Sequence, residues 1–274
     1  MKKNKVYFIS LFLILLFFIQ IIKPIIISAE KEQTEDYNQY SNEKISFGLG
    51  LHTDHTVPSA DRPKGVKLKD YNAYYYDIYA KKREEPVVYL TFDCGYENGY
   101  TKKILKTLKE KEVKAIFFVT EAYIKSAPKL VKRMKKEGHL VGNHTCSHPQ
   151  LTGCSVSRIK KELNQCAKTM KKLTGYEMDQ YIRPPEGVYS VRVLKILQDM
   201  GYTTFLWSLA YYDYDTEKQP GKDYIINKFK THHFNGMIPL IHAISKSNTE
   251  ALPEVIDFLK EEGYQFGTVD EIVS

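Results

Sequence analysis

The sequence lacks the features that define several common protein classes. It contains no internal repeat, which excludes a solenoid, and no basic stripe with interleaved aromatic residues, which argues against nucleic-acid binding. Its charges are too balanced, and its 43% hydrophobic content too high, for a disordered chain. The 274 residues are enough for one large domain or two small ones.

Cysteine is also scarce, and the four residues are Cys94, Cys146, Cys154 and Cys166. Cys166 belongs to an apolar helical stripe with Leu163, Met170 and Leu173, which is typical of a core residue. Cys94 and Cys146 each lie within a candidate site motif. We therefore expect no structural disulfides, although export would place these thiols in an oxidising compartment.

The first segment has the pattern of a targeting signal. An apolar run from Val6 to Ile22 follows several lysines, and Ser28-Ala29 offers a small-residue cleavage site. We predict that residues 1–29 are a signal peptide or a retained membrane anchor, and that the remainder is exported. Without the four lysines of this segment the formal net charge falls from +7 to +3, which indicates only mild affinity for an anionic partner such as a cell wall.

Residues 30–85 precede the regular part of the chain. Residues 30–44 are polar and contain no aliphatic side chain, which is typical of a flexible tether. Residues 45–85 are rich in tyrosine, and we expect them to wrap the following domain. His52, Asp54 and His55 within this segment have the composition of a metal site, but solvated loop histidines are the stronger interpretation.

From Pro86 to the C-terminus, strands and helices alternate. The apolar run Val87–Phe92 predicts a strand that is buried on both faces. Helices are predicted from about Thr101, over 127–137, 157–173, 191–200, 223–230 and 253–262, with further strands over 115–119, 139–142, 203–210, 237–241 and 265–269. This alternation predicts one α/β domain over residues 86–274, whose parallel sheet is closed or nearly closed into a barrel.

Polar side chains follow several of these predicted strands. Asp93, the pair His144 and His148, Arg183, Asp213 and His242 would meet at one rim, where ligands bind in α/β folds. Two neighbouring imidazoles suit zinc or another first-row metal. Each residue also has a structural alternative: a turn-capping Asp93, locally hydrogen-bonded histidines, a core His242 and a surface ion pair for Arg183.

The chain from residue 86 onward resembles the NodB-homology polysaccharide deacetylases, which are carbohydrate esterases. The family's motifs are matched in order by Thr91-Phe92-Asp93-Cys94-Gly95, His144-Thr145-Cys146-Ser147-His148-Pro149, Arg183-Pro184-Pro185-Glu186-Gly187, Asp213-Tyr214 and Leu240-Ile241-His242. Segments 95–101 and 240–248 are especially similar to the delta-lactam-biosynthetic de-N-acetylases of spore formers.

This resemblance implies a distorted (β/α) barrel and a role for each motif residue. Asp93 would be the catalytic base and His242 the acid, His144 and His148 the metal ligands, and Arg183 and Asp213 the residues that orient the base and the acid. The implied substrate is peptidoglycan muramic acid whose peptide stem has been removed, on the route to muramic δ-lactam in spore cortex. The implied partner is therefore a glycan strand, with no nucleic acid.

Position 94 departs from the family pattern, which has aspartate there as a third metal ligand. A thiolate is a good zinc ligand, so we expect a zinc site formed by Cys94, His144 and His148. The alternative is a neutral thiol and weak metal binding. Two rival functions also remain: deacetylation of another wall or chitin-like glycan, and an inactive glycan-binding domain.

Overall fold

A computed structural model describes residues 35–50 and 54–273. Its strands are β1 (Ile45–Ser46), β2 (Ala73–Tyr74), β3 (Val87–Val88), β4 (Thr91–Cys94), β5 (Ile116–Val119), β6 (Leu140–Asn143), β7 (Tyr181–Ile182), β8 (Val188–Tyr189), β9 (Thr203–Phe205), β10 (Leu240–His242) and β11 (Gln265–Phe266). Its α-helices are α1 (Thr101–Glu110), α2 (Glu121–Ser126), α3 (Pro128–Lys136), α4 (Val156–Thr174), α5 (Val191–Asp199), α6 (Lys222–His232) and α7 (Lys246–Glu261). All of these elements belong to one unit that begins at Asn38.

Seven parallel strands form a curled sheet in the order β10-β4-β5-β6-β7-β9-β2. The chain beyond β9 joins the two ends of this sheet. The Ser208 amide donates to the Ile238 carbonyl at 2.8 Å, and the Leu240 amide donates to the Leu209 carbonyl at 2.8 Å. The carboxyl ends of the strands therefore meet around one rim, as predicted for a (β/α) barrel.

Side chains alternate between the two faces of each strand, and this alternation creates two apolar regions. Phe92 and Phe117 point outward and pack in a cluster with the buried sides of the helices. Phe118 points inward, into a second cluster inside the curled sheet. A residue's parity within its strand therefore decides whether it faces the helices or the barrel interior.

The run that we predict as one strand, Val87–Phe92, is split in two. β3 pairs with β11, whereas β4 belongs to the seven-stranded sheet and extends to Cys94. Both parts are fully buried, so hydrophobicity alone could not reveal the break. The chain changes its strand partners between β3 and β4 as the sheet curves, and the local sequence does not indicate this change.

Helix positions agree with the prediction better than helix starts do. Helix α7 begins at Lys246 and not at Pro253, because the Ser245 side chain caps it by accepting from the Asn248 amide at 3.1 Å. Pro253 lies inside the helix. Helix α2 was not predicted, and Leu173, which we assign to the buried stripe of α4, is 43% exposed.

The segment before residue 86 contributes to the sheet itself. Strand β2 forms its edge beside β9, and β1 pairs with β8. Of the histidines considered for a metal site in this segment, His55 lies against the ring of His233, with ring centroids 4.4 Å apart. The other, His52, lies outside the described residues. Residues 45–85 therefore do more than wrap the domain. The prediction of a flexible tether over residues 30–44 is wrong for its last part, because the Ser41 carbonyl accepts from the Arg192 amide at 2.9 Å and the Asn42 side chain binds Thr152 and Ser190.

Within residues 35–50 and 54–273, no helix is long and apolar enough to cross a membrane. The apolar run of the predicted signal or anchor lies outside that part of the chain.

Gly142 offers a test of the packing inside the sheet. A Cβ atom at this position would lie 2.8 Å from the Phe118 ring and 2.9 Å from the Tyr181 carbonyl. We expect Gly142→Ala to lower the free energy of unfolding by about 1–3 kcal/mol, as overpacked cores do. Urea unfolding measures the change. Gly153→Ala is the control, because a Cβ there has no neighbour within 4 Å, and an equal loss in both variants would contradict the packing argument.

Candidate active site

A cavity of about 740 Å³ opens at the carboxyl ends of the strands. It is lined by residues at or just after the ends of β4, β6, β7, β9 and β10, and the ionisable residues among them include Asp93, His144, His148, Glu186 and His242. The sequence motifs are far apart along the chain, so the curled sheet brings them together.

Asp93 ends strand β4 and forms a buried ion pair with Arg183. The Arg183 Nη1 atom donates to Asp93 Oδ1 at 2.7 Å. The second carboxylate oxygen, Oδ2, lies 3.7 Å from His144 Nε2. One oxygen of Asp93 is therefore engaged by the guanidinium, and the other faces the histidines.

This ion pair fixes the charge of Asp93. Burial alone would raise the pKa of its carboxyl, but the charge and hydrogen bond of Arg183, with His144 and His242 nearby, lower that pKa below its ordinary value. Asp93 is therefore a carboxylate at neutral pH, which a general base requires.

Arg183 is fully buried, so the surface ion pair considered from the sequence is wrong. Its Nη2 atom also binds Thr91 Oγ1 at 2.7 Å and the Leu206 carbonyl at 3.1 Å, and its Nε atom donates to the Phe205 carbonyl at 3.1 Å. The guanidinium lies 4.5 Å from the centre of the Phe118 ring. These contacts hold the guanidinium in one orientation.

The two motif histidines point their Nε2 atoms at each other, 3.2 Å apart. His144 Nδ1 lies 2.8 Å from the Arg183 carbonyl, which can only accept, so Nδ1 carries the proton and Nε2 presents a lone pair. Burial lowers the pKa of His144 to about 4 although the Asp93 charge opposes it, so this ring is neutral. Orientation of a ligating histidine by a carbonyl is typical of metal sites.

The loop that carries these histidines is held in a strained conformation. Thr145 and His148 both have positive φ angles, 68° and 56°, which are uncommon for residues other than glycine. The Asn143 side chain accepts from the Thr145 amide at 2.8 Å, and Thr145 Oγ1 accepts from the His148 amide at 3.0 Å. Backbone strain that side chains support in this way is characteristic of functional sites.

Glu162 of α4 supports the same loop, and sequence reasoning missed it. Its carboxylate accepts from the amides of Cys146 and Ser147 at 3.0 and 2.8 Å, and it pairs with Arg158. The available signal was an acidic residue on the inward stripe of a helix, between Ile159 and Leu163. Such a residue is rarely buried without partners.

His242 is held by Asp213, as expected from the motifs. Its Nδ1 atom lies 2.6 Å from Asp213 Oδ1, and its amide donates to Asp213 Oδ2 at 2.8 Å. Asn248, at the start of α7, donates to the same Oδ2 at 2.6 Å, a contact that the motifs do not reveal. Asp213 is completely buried, whereas the His242 side chain is 24% exposed and faces the cavity.

Asp213 changes the proton affinity of His242. Burial alone would lower the pKa of the imidazole, but the hydrogen bond and charge of Asp213, with the charge of Asp93, raise it above its ordinary value. Since Nδ1–H points at Asp213, the remaining Nε2–H of the protonated ring is available to a bound molecule. His242 is therefore suited to donate a proton near neutral pH.

The structure does not bring Cys94 to the histidines. Successive strand residues face opposite ways, so Asp93 faces the cavity and Cys94 faces the helices, where it is fully buried in the outer apolar cluster. Burial, with the charges of Asp93 and Glu97, raises the pKa of the Cys94 thiol well above its ordinary value, which disfavours a thiolate. The expected set of Cys94, His144 and His148 is not assembled.

The donor set that remains fits a metal ion only through two imidazoles. Over residues 35–50 and 54–273, no three or more His, Cys, Asp or Glu side chains are arranged to hold a metal ion. His144 and His148 nevertheless present converging nitrogen atoms, one with its tautomer fixed. These two residues would hold a metal, with water in the remaining positions.

Exposed tyrosines surround the cavity. Tyr96, Tyr212 and Tyr214 are 50%, 47% and 54% exposed, and all three line it. The Tyr212 hydroxyl donates to Asp215 at 3.0 Å, and the Tyr214 ring lies 5.7 Å from that of His242. Exposed aromatic rings at a cavity mouth suit the apolar face of a sugar ring.

The rim of the parallel barrel thus holds a buried carboxylate paired with arginine, an imidazole paired with aspartate, and two converging imidazoles. Residues 80–205 match the model of one family, polysaccharide deacetylase. The chain belongs to the polysaccharide deacetylase family, whose fold and enzyme class are those of the family 4 carbohydrate esterases. These esterases are generally metal-dependent.

Individual relatives extend this comparison. The peptidoglycan-N-acetylmuramic acid deacetylase PdaA of Bacillus subtilis is 39% identical over 232 residues, covering 85% of this chain and 87% of that protein. The solved structure of PdaA superposes with a TM-score of 0.80 and covers 85% of this chain and 98% of its own. An uncharacterised 30.6-kDa protein of Geobacillus stearothermophilus is 45% identical over 233 residues, covering 85% of this chain and 86% of that protein.

Cys94→Ala tests the placement of the thiol. We expect unchanged metal affinity and a modest loss of stability, about 1 kcal/mol, because the substitution leaves a small void in the core. Competition with a chromogenic chelator measures the affinity. His148→Ala is the comparison variant and should bind metal much more weakly. A drop in affinity for Cys94→Ala that matches the drop for His148→Ala would return Cys94 to the coordination sphere.

Asp213→Asn tests the coupling to His242. The carboxylate raises the pKa of the imidazole, so the acid form persists to higher pH in the wild type. Without that charge the pKa falls, and the alkaline limb of the kcat profile should move to lower pH. Asp215→Asn is the control. Asp215 lies on the same loop but binds Tyr212 and the Glu217 amide, so its substitution should leave the alkaline limb in place. An unmoved limb in Asp213→Asn would separate that limb from His242.

Proposed function

We propose that this protein removes N-acetyl groups from peptidoglycan, with N-acetylmuramic acid as the sugar that it deacetylates. The observation that carries this proposal is the opposed tuning of two groups in one cavity. The pKa of Asp93 is lowered and that of His242 is raised, so a base and an acid are both in their working forms near neutral pH. Amide hydrolysis needs this pair, because water must lose a proton and the departing nitrogen must gain one.

Asp93 is the base in this proposal. Oδ1 is held by Arg183, so Oδ2 is the oxygen that takes the proton from the attacking water. The guanidinium cannot release a proton, and it therefore orients the carboxylate without competing for the transfer. A rigid base in this geometry needs no rearrangement during the reaction.

His242 is the acid. Asp213 fixes the ring through Nδ1, and the partly exposed edge of the ring faces the cavity. Protonation of the amine by Nε2–H makes the nitrogen a competent leaving group, and Asp213 stabilises the charged imidazole before transfer. Asn248 and the His242 amide complete the hydrogen bonds of the Asp213 carboxylate.

The metal in this proposal is a divalent ion, with zinc preferred, held by His144 and His148. When bound, it would act as a Lewis acid on the acetamide carbonyl, which is otherwise a poor electrophile. Imidazole nitrogen atoms are suitable ligands for zinc. Metal analysis of the purified protein, before and after chelation, identifies the ion.

The finer substrate assignment is muramic acid without its peptide stem, on the route to muramic δ-lactam in spore cortex. It is supported by the two segments that resemble the delta-lactam-biosynthetic subgroup, 95–101 and 240–248. These segments touch in the structure, where the Asn98 side chain donates to the Ile244 carbonyl at 3.0 Å. Tyr96 and Ile244, one from each segment, line the cavity.

The proposed export follows from the sequence of residues 1–29, and the proposed place at the cortex follows from the proposed substrate. We infer export across the cytoplasmic membrane, followed by secretion or retention on the membrane, at the forming spore cortex. A glycan substrate outside the cytoplasm is consistent with this location. Fractionation of sporulating cells, with an antibody against the domain, tests it.

Acetate release from defined glycans separates this proposal from its rivals. We expect release from stem-free peptidoglycan strands to exceed release from intact peptidoglycan and from chitin oligomers. Faster turnover of chitin oligomers would favour the rival enzyme function. Binding of strands without acetate release, in protein with its metal restored, would favour the inactive glycan-binding domain.

Asp93→Asn tests the base. We expect acetate release to fall by about 10²–10⁴-fold, the usual cost of removing a general base. Asn keeps the shape of the side chain but leaves Arg183 facing a neutral amide, so some stability should also be lost. Circular dichroism verifies the fold. Glu97→Gln replaces another carboxylate just after the same strand and serves as the matched control. Wild-type turnover in Asp93→Asn would remove Asp93 from the mechanism.

A further inference from the structure

The positive charge of this protein is concentrated on three helices. Helices α1, α3 and α4 together carry fifteen lysines and arginines and two acidic residues, Glu110 and Glu162, a formal net charge of +13. The whole chain carries +7, so the rest of it has a formal net charge of −6. The modest overall charge therefore hides a strong separation of charge.

These three helices are neighbours on one side of the molecule. They follow or precede the adjacent strands β4, β5 and β6, and α3 contacts both α1 and α4. Their apolar sides, for example Leu108, Val131 and Leu163, are fully buried beneath them. The charged sides therefore face outward together, and we call the basic residues of α1, α3 and α4 the basic face.

Few of these charges are neutralised within the protein. Thirteen of the fifteen basic side chains are exposed. Five form ion pairs: Lys106, Arg133, Lys135, Arg158 and Lys171. The other ten have no acidic side chain within 4.0 Å in the part of the chain that the structure describes, and these are Lys102, Lys103, Lys109, Lys129, Lys132, Lys136, Lys160, Lys161, Lys168 and Lys172.

The basic face has no part in the catalytic site. No residue of α1, α3 or α4 lines the catalytic cavity. The cavity opens at the ends of the strands, whereas the face lies on the outside of the helices that cover them. Solubility alone does not require such a separation, since charges of both signs spread over a surface serve that purpose.

The shape of the basic face favours a broad anionic surface as its partner. Three helices side by side, each about 10 Å across, form a patch about 30 Å wide, and the 19 residues of α4 extend it about 28 Å. Helix surfaces are convex, so the lysines are not gathered in a groove that would follow one linear polymer. Leu173 is the one large apolar side chain exposed on these helices, so contact would be electrostatic, without insertion.

We propose that the basic face docks on membrane surfaces rich in anionic phospholipid headgroups. The predicted N-terminal anchor supports this partner. The folded unit begins at Asn38, so the tether between anchor and domain is at most residues 30–37, which span about 29 Å and would keep the domain near the bilayer. With the face on the membrane, the rim lies to the side, and a glycan strand parallel to the bilayer enters the cavity. This docking does not depend on the proposed substrate.

Lysine acetylation footprinting of the full chain tests the docking. The protein is mixed with vesicles of phosphatidylcholine alone, or of equal parts phosphatidylcholine and phosphatidylglycerol, and acetylation rates are read by mass spectrometry. We expect the anionic vesicles to slow acetylation of Lys160, Lys168 and Lys172 by about five-fold or more. About five-fold is the change in the binding equilibrium that the attraction of one lysine to an anionic surface produces. About 1 M salt should abolish the protection. Equal rates with both vesicles would overturn the proposal.

Charge reversal on α3 provides the matched variants. The triple variant Lys129→Glu, Lys132→Glu and Lys136→Glu should remove the protection of the α4 lysines. The control triple Lys222→Glu, Lys230→Glu and Lys260→Glu has the same change in net charge on α6 and α7, and it should keep the protection. Both variants should release acetate from soluble glycan at the wild-type rate, which verifies folding. Loss of protection in both would reduce the effect to net charge and would contradict a specific face.

Soluble poly(glycerol phosphate) separates a membrane from an anionic wall polymer. We expect it to protect the α4 lysines less than anionic vesicles do at equal phosphate concentration. Equal or stronger protection by the polymer would assign the face to a wall polymer and overturn membrane docking. Acetate release is measured separately, so failure of the docking leaves the proposed function standing.

Discussion

The buried ion pair between Arg183 and Asp93 is the constraint on which the rest of the site depends. A fully buried guanidinium is costly unless its donors are satisfied, and here two backbone carbonyls, a threonine hydroxyl and the carboxylate satisfy them. Breaking such a pair by removing one partner costs roughly 3–5 kcal/mol. The same contacts connect β4, β7 and the chain after β9, so the geometry of the Asp93 carboxylate and the closure of the sheet are maintained together.

The sequence was sufficient to predict the barrel class and most of the residues at its rim. Buried strands that end in polar residues are readable as a pattern, because parallel strands place those ends together. The break in the run from Val87 to Phe92 was not readable, since both halves are equally apolar. The start of α7 was missed because a proline suggests a helix start more strongly than the serine cap that begins this helix.

The supporting residues of the site were harder to predict than the proposed catalytic residues. Glu162 and Asn248 act across long sequence separations, and their roles depend on which helix packs beside which loop. The direction of the Cys94 side chain depends on strand parity at a bend, which motif comparison does not provide. Net charge likewise said little about the basic face, because a sum over the chain carries no information about position.

The two faces of strand β4 have a consequence for how sequence variation in this protein should be interpreted. Asp93 faces the solvent-accessible cavity, while its neighbour Cys94 faces the packed interior beneath the helices. Substitutions at these adjacent positions are therefore constrained by different physics, the charge and hydrogen bonds of the cavity in one case and van der Waals volume in the other. A change at position 94 measures what the interior can accommodate, and it is a poor guide to whether a homologous chain is active.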